Sequence, residues 1–594
     1  MQSETKTHST SSVQACQNCK KEFRIDSEDF NFYEKMKVPP PTFCPECRAQ
    51  RRFTYRNERK LFRAKNAFTG KDIFSLYPAE SGRKIITQEE WHGDNWDAIE
   101  YGEDYDFSRP FFEQFFEIER KVPVYNLNVQ RMINSSYSGN ATGLKNSYLC
   151  FNSNYSEDCM YGNAIDYCKD CLDNSHINHS ERCHECFWLQ NCYQCYFTTM
   201  SVESRNLLFC RDCLGCSDCF GCTNLRKASY CIFNIQYSKE EYEKKIKEMR
   251  LDTIGGVKKA REKTRKFWKT QPIKYHQGLK NLNTTGSYIT NSKNVQDSFL
   301  VRESENMRYC QYMLVPKNKE CYDASIWGEN MELHYETCVS GENSYNLKFC
   351  FNCWPASRDN EYSFCLFSCS DCFGCVGLKK KQYCILNKQY EKEEYFKMVE
   401  KIKKHMDEMP YIDKQGLIYK YGEFFPIELS PFGYNNSIAI EHFPLTKEEA
   451  IQKGYAWIEV PRGEYQITKK VQDLPENIEE VNENILKEVI ECENCKNPYR
   501  VLENELIFLK KEKLPLPTMC HDCRYERRIK DRLGIKLYER NCMCGGETDE
   551  TGAYKNTISH THGDSPCGEK FKTGYSPDSG EIVYCEKCYQ QEVY

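Results

Sequence analysis

The strongest constraint on this chain is that it repeats itself twice over, without gaps. Cys16, Cys19, Cys44 and Cys47 recur as Cys492, Cys495, Cys520 and Cys523, at a constant offset of 476 residues. Pro39, Pro41, Arg48, Arg51 and Arg52 recur in the same register as Pro515, Pro517, Arg524, Arg527 and Arg528. Inside this outer duplication lies another: CSDCFGCTNLRKASYCIFNIQYSKEEY, from Cys216, matches CSDCFGCVGLKKKQYCILNKQYEKEEY, from Cys369. Internal self-similarity of this kind marks repeat architectures.

The outer copies each hold two CxxC pairs. A two-residue spacer lets both sulfurs of a pair reach one ion at about 2.3 Å, and four thiolates close a tetrahedral shell. The spacing therefore predicts a structural zinc ribbon at each end, with short strands leading into the Pro-rich turn. A redox-active CxxC would instead need a thioredoxin-like βαβ setting, which is missing here. The C-terminus offers a third centre from Cys542, Cys544, Cys567, Cys585 and Cys588, with His562 a weaker candidate. Cys585 and Cys588 read as the second knuckle of a treble-clef finger, completed by Cys567 and one of Cys542 or Cys544. The total expected is about three Zn²⁺ per chain. A degenerate N-terminal copy of this finger, FTGKDIFSLYPAESGRKIITQEEW, has Gln88 and Trp91 where the C-terminal copy has Cys585 and Cys588. There the metal is expected to be lost and replaced by packing around Trp91 and Trp96.

Between the ends, cysteine often follows an aromatic residue, and polar tokens such as NSSYSGN and GENSY intervene. Short strands punctuated by Asn, Ser and Gly predict stacked β-solenoid coils, with small side chains turned inward. Free cysteine suits such an interior as a small hydrophobe. The run CRDCLGCSDCFGC leaves two alternatives open, additional zinc or an iron–sulfur or redox centre. The ferredoxin pattern also carries a Cys-Pro element that this run lacks. The second copy has Ser363 and Leu366 in place of Cys210 and Cys213, which weakens both alternatives.

The fold class is thus mainly β with short helices: a duplicated Cys-rich β-solenoid-like core flanked by zinc-ribbon and treble-clef modules. In order, the segments are a disordered tail (1–15), ribbon 1 (16–52), a degenerate treble-clef-like segment (53–106) and a linker helix (107–124). Solenoid 1 (125–236), a helical spacer (238–272), solenoid 2 (273–390) and a helix (391–410) follow. A small α/β segment (411–475), an acidic linker (476–491), ribbon 2 (492–530) and the C-terminal finger (531–594) complete the chain.

Directly after the second knuckle of each ribbon the chain is basic. Arg48, Arg51, Arg52, Arg56 and Arg59, interleaved with Phe53, Tyr55 and Phe62, have the composition of a phosphate-binding surface with stacking platforms, as do Arg524, Arg527 and Arg528. The rival reading is a solvated face paired with the acidic run Glu89–Asp106. Net charge is only −5, so the chain as a whole is no polyanion binder. No apolar run approaches the length of a membrane helix. Thirty-seven cysteines, an odd number, suit a reducing cytoplasm better than a disulfide framework.

VPPPTFCPECRAQRR, EYGEDYDFSRPFFEQF, YGEFFPIELSPFGYNNSIAIEHFPLTKEEA and HTHGDSPCGEKFKTGYSPDSGEIVYCEKCYQQEV, taken together, resemble a zinc-ribbon, Cys-rich protein family widespread in candidate-phyla bacteria. The resemblance spans nearly the whole chain and implies the architecture without bringing an activity. It also implies cysteines in the N-terminal treble-clef-like half, from which Gln88 and Trp91 depart.

No nucleophile elbow, phosphate loop, dinucleotide fingerprint or HExxH is present. His176, His179 and His184 lie near Cys183 and Cys186, but polar loops account for them as well as a metal site does. The expectation is a non-enzymatic binding protein that contacts RNA or a ribonucleoprotein through both ribbons, held apart by the solenoid. The alternatives are a protein–protein scaffold or self-assembling rod, and metal storage or redox.

Overall fold

The computed structural model describes residues 11–459, 465–545, 556–563 and 565–594; most of the expected N-terminal tail lies outside them. The protein is mainly β, a β-solenoid of about 21 turns in all with twelve short α-helices among the described residues. It divides into two compact units. One comprises Met1–Leu127, His276–Val460 and Gly534–Leu537; the other comprises Asn128–Tyr275, Pro461–Leu533 and Tyr538–Tyr594. Each ribbon therefore belongs to the unit of the solenoid distant from it in sequence: ribbon 1 with solenoid 2, and ribbon 2 with solenoid 1.

Solenoid 1 is built on a period of three. Parallel pairing joins residues 12 apart, as in Ile165 with Ile177 and Leu189 with Ser201. Within each coil nearly every third residue has positive φ: Asn146, Leu149, Asn152, Tyr155, Asp158 and Tyr161 are successive examples. Each coil is thus four three-residue sides with a left-handed corner between them. That conformation costs an L-residue about 1–2 kcal/mol and is best tolerated by Asn and Asp. This is the physical content of the Asn-rich tokens. The residue after each corner points inward, and all fourteen cysteines from Cys150 to Cys231 fall in that one phase, every number divisible by three.

The interior is accordingly a stack of small side chains. Cys150, Cys159, Cys168, Cys183, Cys210 and Cys219 pack with Leu144, Ile165, Ile177 and Leu189 in one apolar column. Serines in the same phase hydrogen-bond to the next coil: the Cys150, Cys159 and Cys168 amides donate to Oγ of Ser138, Ser147 and Ser156 at 3.2, 3.3 and 3.1 Å. Cys159 Sγ in turn contacts the carbonyl oxygens of Glu157 (3.2 Å) and Cys168 (3.7 Å). Solenoid 2 is less regular. Its pairing steps from 12 residues to 14 between Ser304 and Asn318, and to 13 between Ser325 and Cys338.

The ribbons differ from expectation in one respect. The segment between the CxxC pairs contains a helix, Ser27–Met36 in ribbon 1 and Glu503–Glu512 in ribbon 2. In the first, Asp26 is the N-cap and its amide donates to Asp29 Oδ2 at 3.0 Å. Phe32, Tyr33 and Met36 fall on one buried face. Among the described residues the strands of each ribbon flank its first knuckle, Ser12–Ala15 against Glu22–Ile25 and Ile490–Glu491 against Pro498–Tyr499.

Candidate metal centres and the arginine clamps

The first knuckle of ribbon 1 is the turn closing that hairpin, and the second opens the helix Pro45–Thr54, with Cys44 as N-cap. Together they bring the sulfurs of Cys16, Cys19, Cys44 and Cys47 within 4.8 Å of one another, and Cys492, Cys495, Cys520 and Cys523 assemble likewise. Both tetrads can hold a metal ion. Four thiolates at about 2.3 Å around a tetrahedral ion lie about 3.8 Å apart. Cys19 Sγ is 3.7 Å from Cys44 Sγ, and Cys495 Sγ is 3.7 Å from Cys520 Sγ. In each ribbon a backbone amide also donates to the first sulfur, Cys44 to Cys16 at 3.2 Å and Cys520 to Cys492 at 3.3 Å. Burial opposes ionisation of Cys492, but the amides of Cys520, Cys495 and Asn494 prevail and hold it down at about 7.

The third centre follows the same plan with an insertion. The Cys16 amide donates to the Lys21 carbonyl, and the Cys542 amide to that of Glu569, both at 2.9 Å. Cys567 therefore stands where Cys19 does, with 24 residues of sequence, 543–566, inserted between the two halves of one knuckle. The Cys585 amide donates to Cys542 Sγ at 3.2 Å, and Cys567 Sγ is 3.9 Å from Cys585 Sγ, as in the ribbons. The sulfurs of Cys542, Cys544, Cys567 and Cys588 lie within 4.8 Å of one another. Both Cys542 and Cys544 reach the centre. Cys544 and Cys588 also group with His560 and His562, a tetrad in which His560 had not been expected; its sequence signal is His-x-His inside the insertion.

The degenerate copy retains the fold and replaces the ligands. Its hairpin, Phe62–Lys65 with Asp72–Ser75, leads to a short helix, Gln88–His92, capped by Thr87. The Asn66 amide donates to Lys71 as Cys16 does to Lys21, so Asn66, Thr69, Thr87 and Glu90 occupy the four ligand positions. The alignment of Cys585 and Cys588 with Gln88 and Trp91 is thus one residue off. Asn66 Nδ2 donates to Glu90 Oε2 at 2.6 Å, and the Thr87 amide donates to the same carboxylate at 2.9 Å. A hydrogen-bonded cluster stands where the ribbons place thiolates. Trp91 is fully buried beside it, 6.0 Å from Trp96.

The basic residues do not form a phosphate-binding surface. Arg48, Arg51 and Arg52 lie at helical spacing on one face of Pro45–Thr54, and all three are at most 1% exposed. Arg48 and Arg52 both grip Asp323, at 2.8 and 3.0 Å. Arg51 and Arg52 both meet Glu336 at 2.9 Å, and Arg51 reaches Glu423 at 3.0 Å. In the other unit Arg524 and Arg528 both grip Asp173, at 2.8 and 3.1 Å, and Arg524 reaches Glu505 at 2.8 Å. Arg527, about a quarter exposed, pairs with Glu185, which also takes Arg261 at 2.8 Å. Burial opposes ionisation of Glu185, but Arg527 and Arg261 hold its carboxyl well below the usual range. Arg56 is buried against Glu58 at 2.9 Å, and Arg59 is half-buried.

The rival reading fails as well, because none of these carboxylates comes from Glu89–Asp106: Asp323, Glu336, Asp173 and Glu185 belong to solenoid coils, and Glu423, Glu505 and Glu58 to segments outside that run. Asp97, Glu103 and Asp104 of that run pair with Lys381, Lys121 and Lys388. Asp323 and Glu336 sit on left-handed corners of adjacent coils, as do Asp173 and Glu185. The two clamps therefore share a common core, Arg48 and Arg52 on Asp323 with Arg51 on Glu336, and Arg524 and Arg528 on Asp173 with Arg527 on Glu185, while Glu423, Glu505 and Arg261 each belong to one of them alone.

None of the 37 cysteines is in a disulfide. No solenoid cysteine joins a metal-holding group among the described residues. Burial pushes the Cys150 thiol up to about 12, as expected of a protonated packing group. His176 packs edge-on against Phe187, His179 stacks on Tyr167, and His184 Nδ1 lies 3.2 Å from the Leu172 carbonyl. No helix among the described residues is long and apolar enough to cross a membrane.

No family model matches the chain, and no curated protein does. Among solved structures it aligns with a protein proposed to be an acetyltransferase, from Desulfovibrio desulfuricans, at 10% identity over 50% of this chain and 86% of that one. The TM-score is 0.09, and the alignment carries no argument.

Proposed function

We propose that the chain is a non-enzymatic, zinc-stabilised binding scaffold of the cytoplasm, in which the ions fold the ribbons and the ribbons brace the solenoids. The observation that carries this reading is the duplicated arginine clamp, which turns the most basic surface of each ribbon into a docking face for its solenoid. Tetrahedral all-thiolate sets favour zinc and leave no open position for a substrate. A chain with 37 unpaired cysteines suits a reducing compartment.

With the arginines engaged, the contact surface lies elsewhere. In solenoid 1 Tyr155 stacks on Tyr167 at 5.3 Å and Tyr167 on His179 at 4.8 Å, one ring per coil. Tyr155 and Tyr167 are 46% and 53% exposed, a solvent-facing aromatic ladder suited to a protein partner. A second reading keeps RNA but moves its seat to the helix Ile254–Trp268, where Lys258, Lys259, Lys263 and Lys266 are exposed.

Sedimentation of the purified chain at low and high salt, paired with gel shift of a structured RNA, separates the two. The scaffold reading expects association that persists at high salt and disappears in Tyr155→Ser/Tyr167→Ser. An RNA complex dissolved by salt and by Lys259→Ala/Lys263→Ala/Lys266→Ala would replace it with the second reading.

A further inference from the structure

By the register of the ribbons the four ligand positions of the C-terminal finger are Cys542, Cys567, Cys585 and Cys588. Cys585 lies outside the group of sulfurs mutually within 4.8 Å and meets the set through its 3.9 Å contact with Cys567 Sγ and its amide on Cys542 Sγ. The insertion 543–566 brings three further ligand-type side chains to the same place: Cys544, His560 and His562. His562 Nε2 lies 3.5 Å from Cys544 Sγ, 3.4 Å from Cys588 Sγ and 3.3 Å from His560 Nδ1. An imidazole nitrogen has a single lone pair or proton in the ring plane and cannot hydrogen-bond three partners at once. It can stand at one corner of a tetrahedron. With bonds of about 2.3 Å to sulfur and about 2.05 Å to nitrogen, tetrahedral S···N edges are about 3.5 Å and N···N edges about 3.3 Å. The three observed separations have these lengths.

Two supports surround the group. The Cys567 amide donates to Cys544 Sγ at 3.3 Å, as the Cys585 amide donates to Cys542. His560 Nε2 lies 2.9 Å from Glu592 Oε1, with both side chains at most 1% exposed. A metal-ligating histidine characteristically gives its other ring N–H to such a carboxylate, which fixes the tautomer and the ring orientation. Here that leaves Nδ1 facing His562 and the thiols.

We propose that this finger holds two zinc ions. The first is bound by Cys542, Cys567, Cys585 and Cys588; the second by Cys544, His560, His562 and the same Cys588, whose sulfur bridges them. Seven side chains with one shared thiolate fill the eight positions of two tetrahedra. The inference rests on the zinc reading of the ribbons and raises the expected content to four ions per chain.

The test uses the full chain, with zinc counted by elemental analysis and the cluster probed by ¹¹³Cd NMR after cadmium replacement. Wild type should hold four ions and His560→Ala/His562→Ala three. The cadmium form should show two mutually coupled resonances, the signature of a bridging sulfur, which does not depend on any variant folding. Three ions in wild type, unchanged in the double variant and without coupled resonances, would overturn the second site while leaving the ribbons intact. An absence of zinc, or iron in its place, would overturn the underlying zinc reading as well.

Discussion

Arg524 reaches Asp173 at 2.8 Å across 351 residues of sequence, and Arg48 makes the same 2.8 Å contact with Asp323 in the other unit. The carboxylate sits at a left-handed corner of a solenoid coil, and the guanidinium projects from the helix that begins at the second knuckle of a ribbon. A metal held by the ribbon tetrad would thus act at one remove: it would fix the helix start, while the helix aligns three arginines and the arginines hold the solenoid.

Removing one member of such a buried pair leaves an uncompensated charge and costs about 3–5 kcal/mol. Arg52→Ala and Arg528→Ala should each lower unfolding free energy by that amount, measured by denaturant titration. Arg63→Ala, at an exposed position outside the clamp, should cost less than about 1 kcal/mol. Equal and small effects at all three would refute the clamp.

Chelation should unfold the ribbons, because thiolate–metal binding energy is folding energy in small metal-held modules. Thermal denaturation with and without a strong zinc chelator should show a large drop in midpoint. Cys47→Ser or Cys523→Ser should each remove one ion, counted by elemental analysis. An unchanged midpoint after complete metal loss would contradict the bracing role.

The degenerate finger offers a gain-of-function check on register. Asn66→Cys, Thr69→Cys, Thr87→Cys and Glu90→Cys combined should add one zinc ion per chain. Thiolates placed at Gln88 and Trp91 instead should add none, because these positions lie one residue past the knuckle.

Solenoid cysteines should behave as packing groups. Cys159→Ser should leave metal content unchanged and cost about 1–2 kcal/mol or less, since serine already fills equivalent inward positions at 147 and 156. Loss of an ion in this variant would reinstate metal in the core.

His334 is fully buried beside Ser344 Oγ at 3.0 Å, and desolvation pushes its pKa down to about 3. The unfolded chain protonates this ring near pH 6.5, so between pH 6.5 and 3 the unfolded state binds more protons. The stability of its unit should therefore be full above pH 6.5 and fall as the pH drops through that window. His334→Gln should flatten this slope in pH-dependent denaturation.

The sequence by itself determined what local spacing determines. CxxC pairs at a fixed interval can meet one ion whatever surrounds them, so the two ribbon tetrads, and most of the third cluster of sulfurs, were legible as groups that can hold a metal. The inward-facing role of the core cysteines was also legible as small hydrophobes among Asn-rich corners. Their single phase modulo three is present in the sequence as well, and it implies three-residue sides that aromatic–cysteine pairs and Asn-rich tokens do not by themselves show. Only the tertiary structure decided what the arginines do. A run of Arg and aromatic residues has the same composition whether it faces phosphate or a carboxylate 271 residues away, as Arg52 does with Asp323. Charge composition carries no direction. The partner is chosen by which coil corners the folded chain brings against the helix, and here those corners carry Asp and Glu.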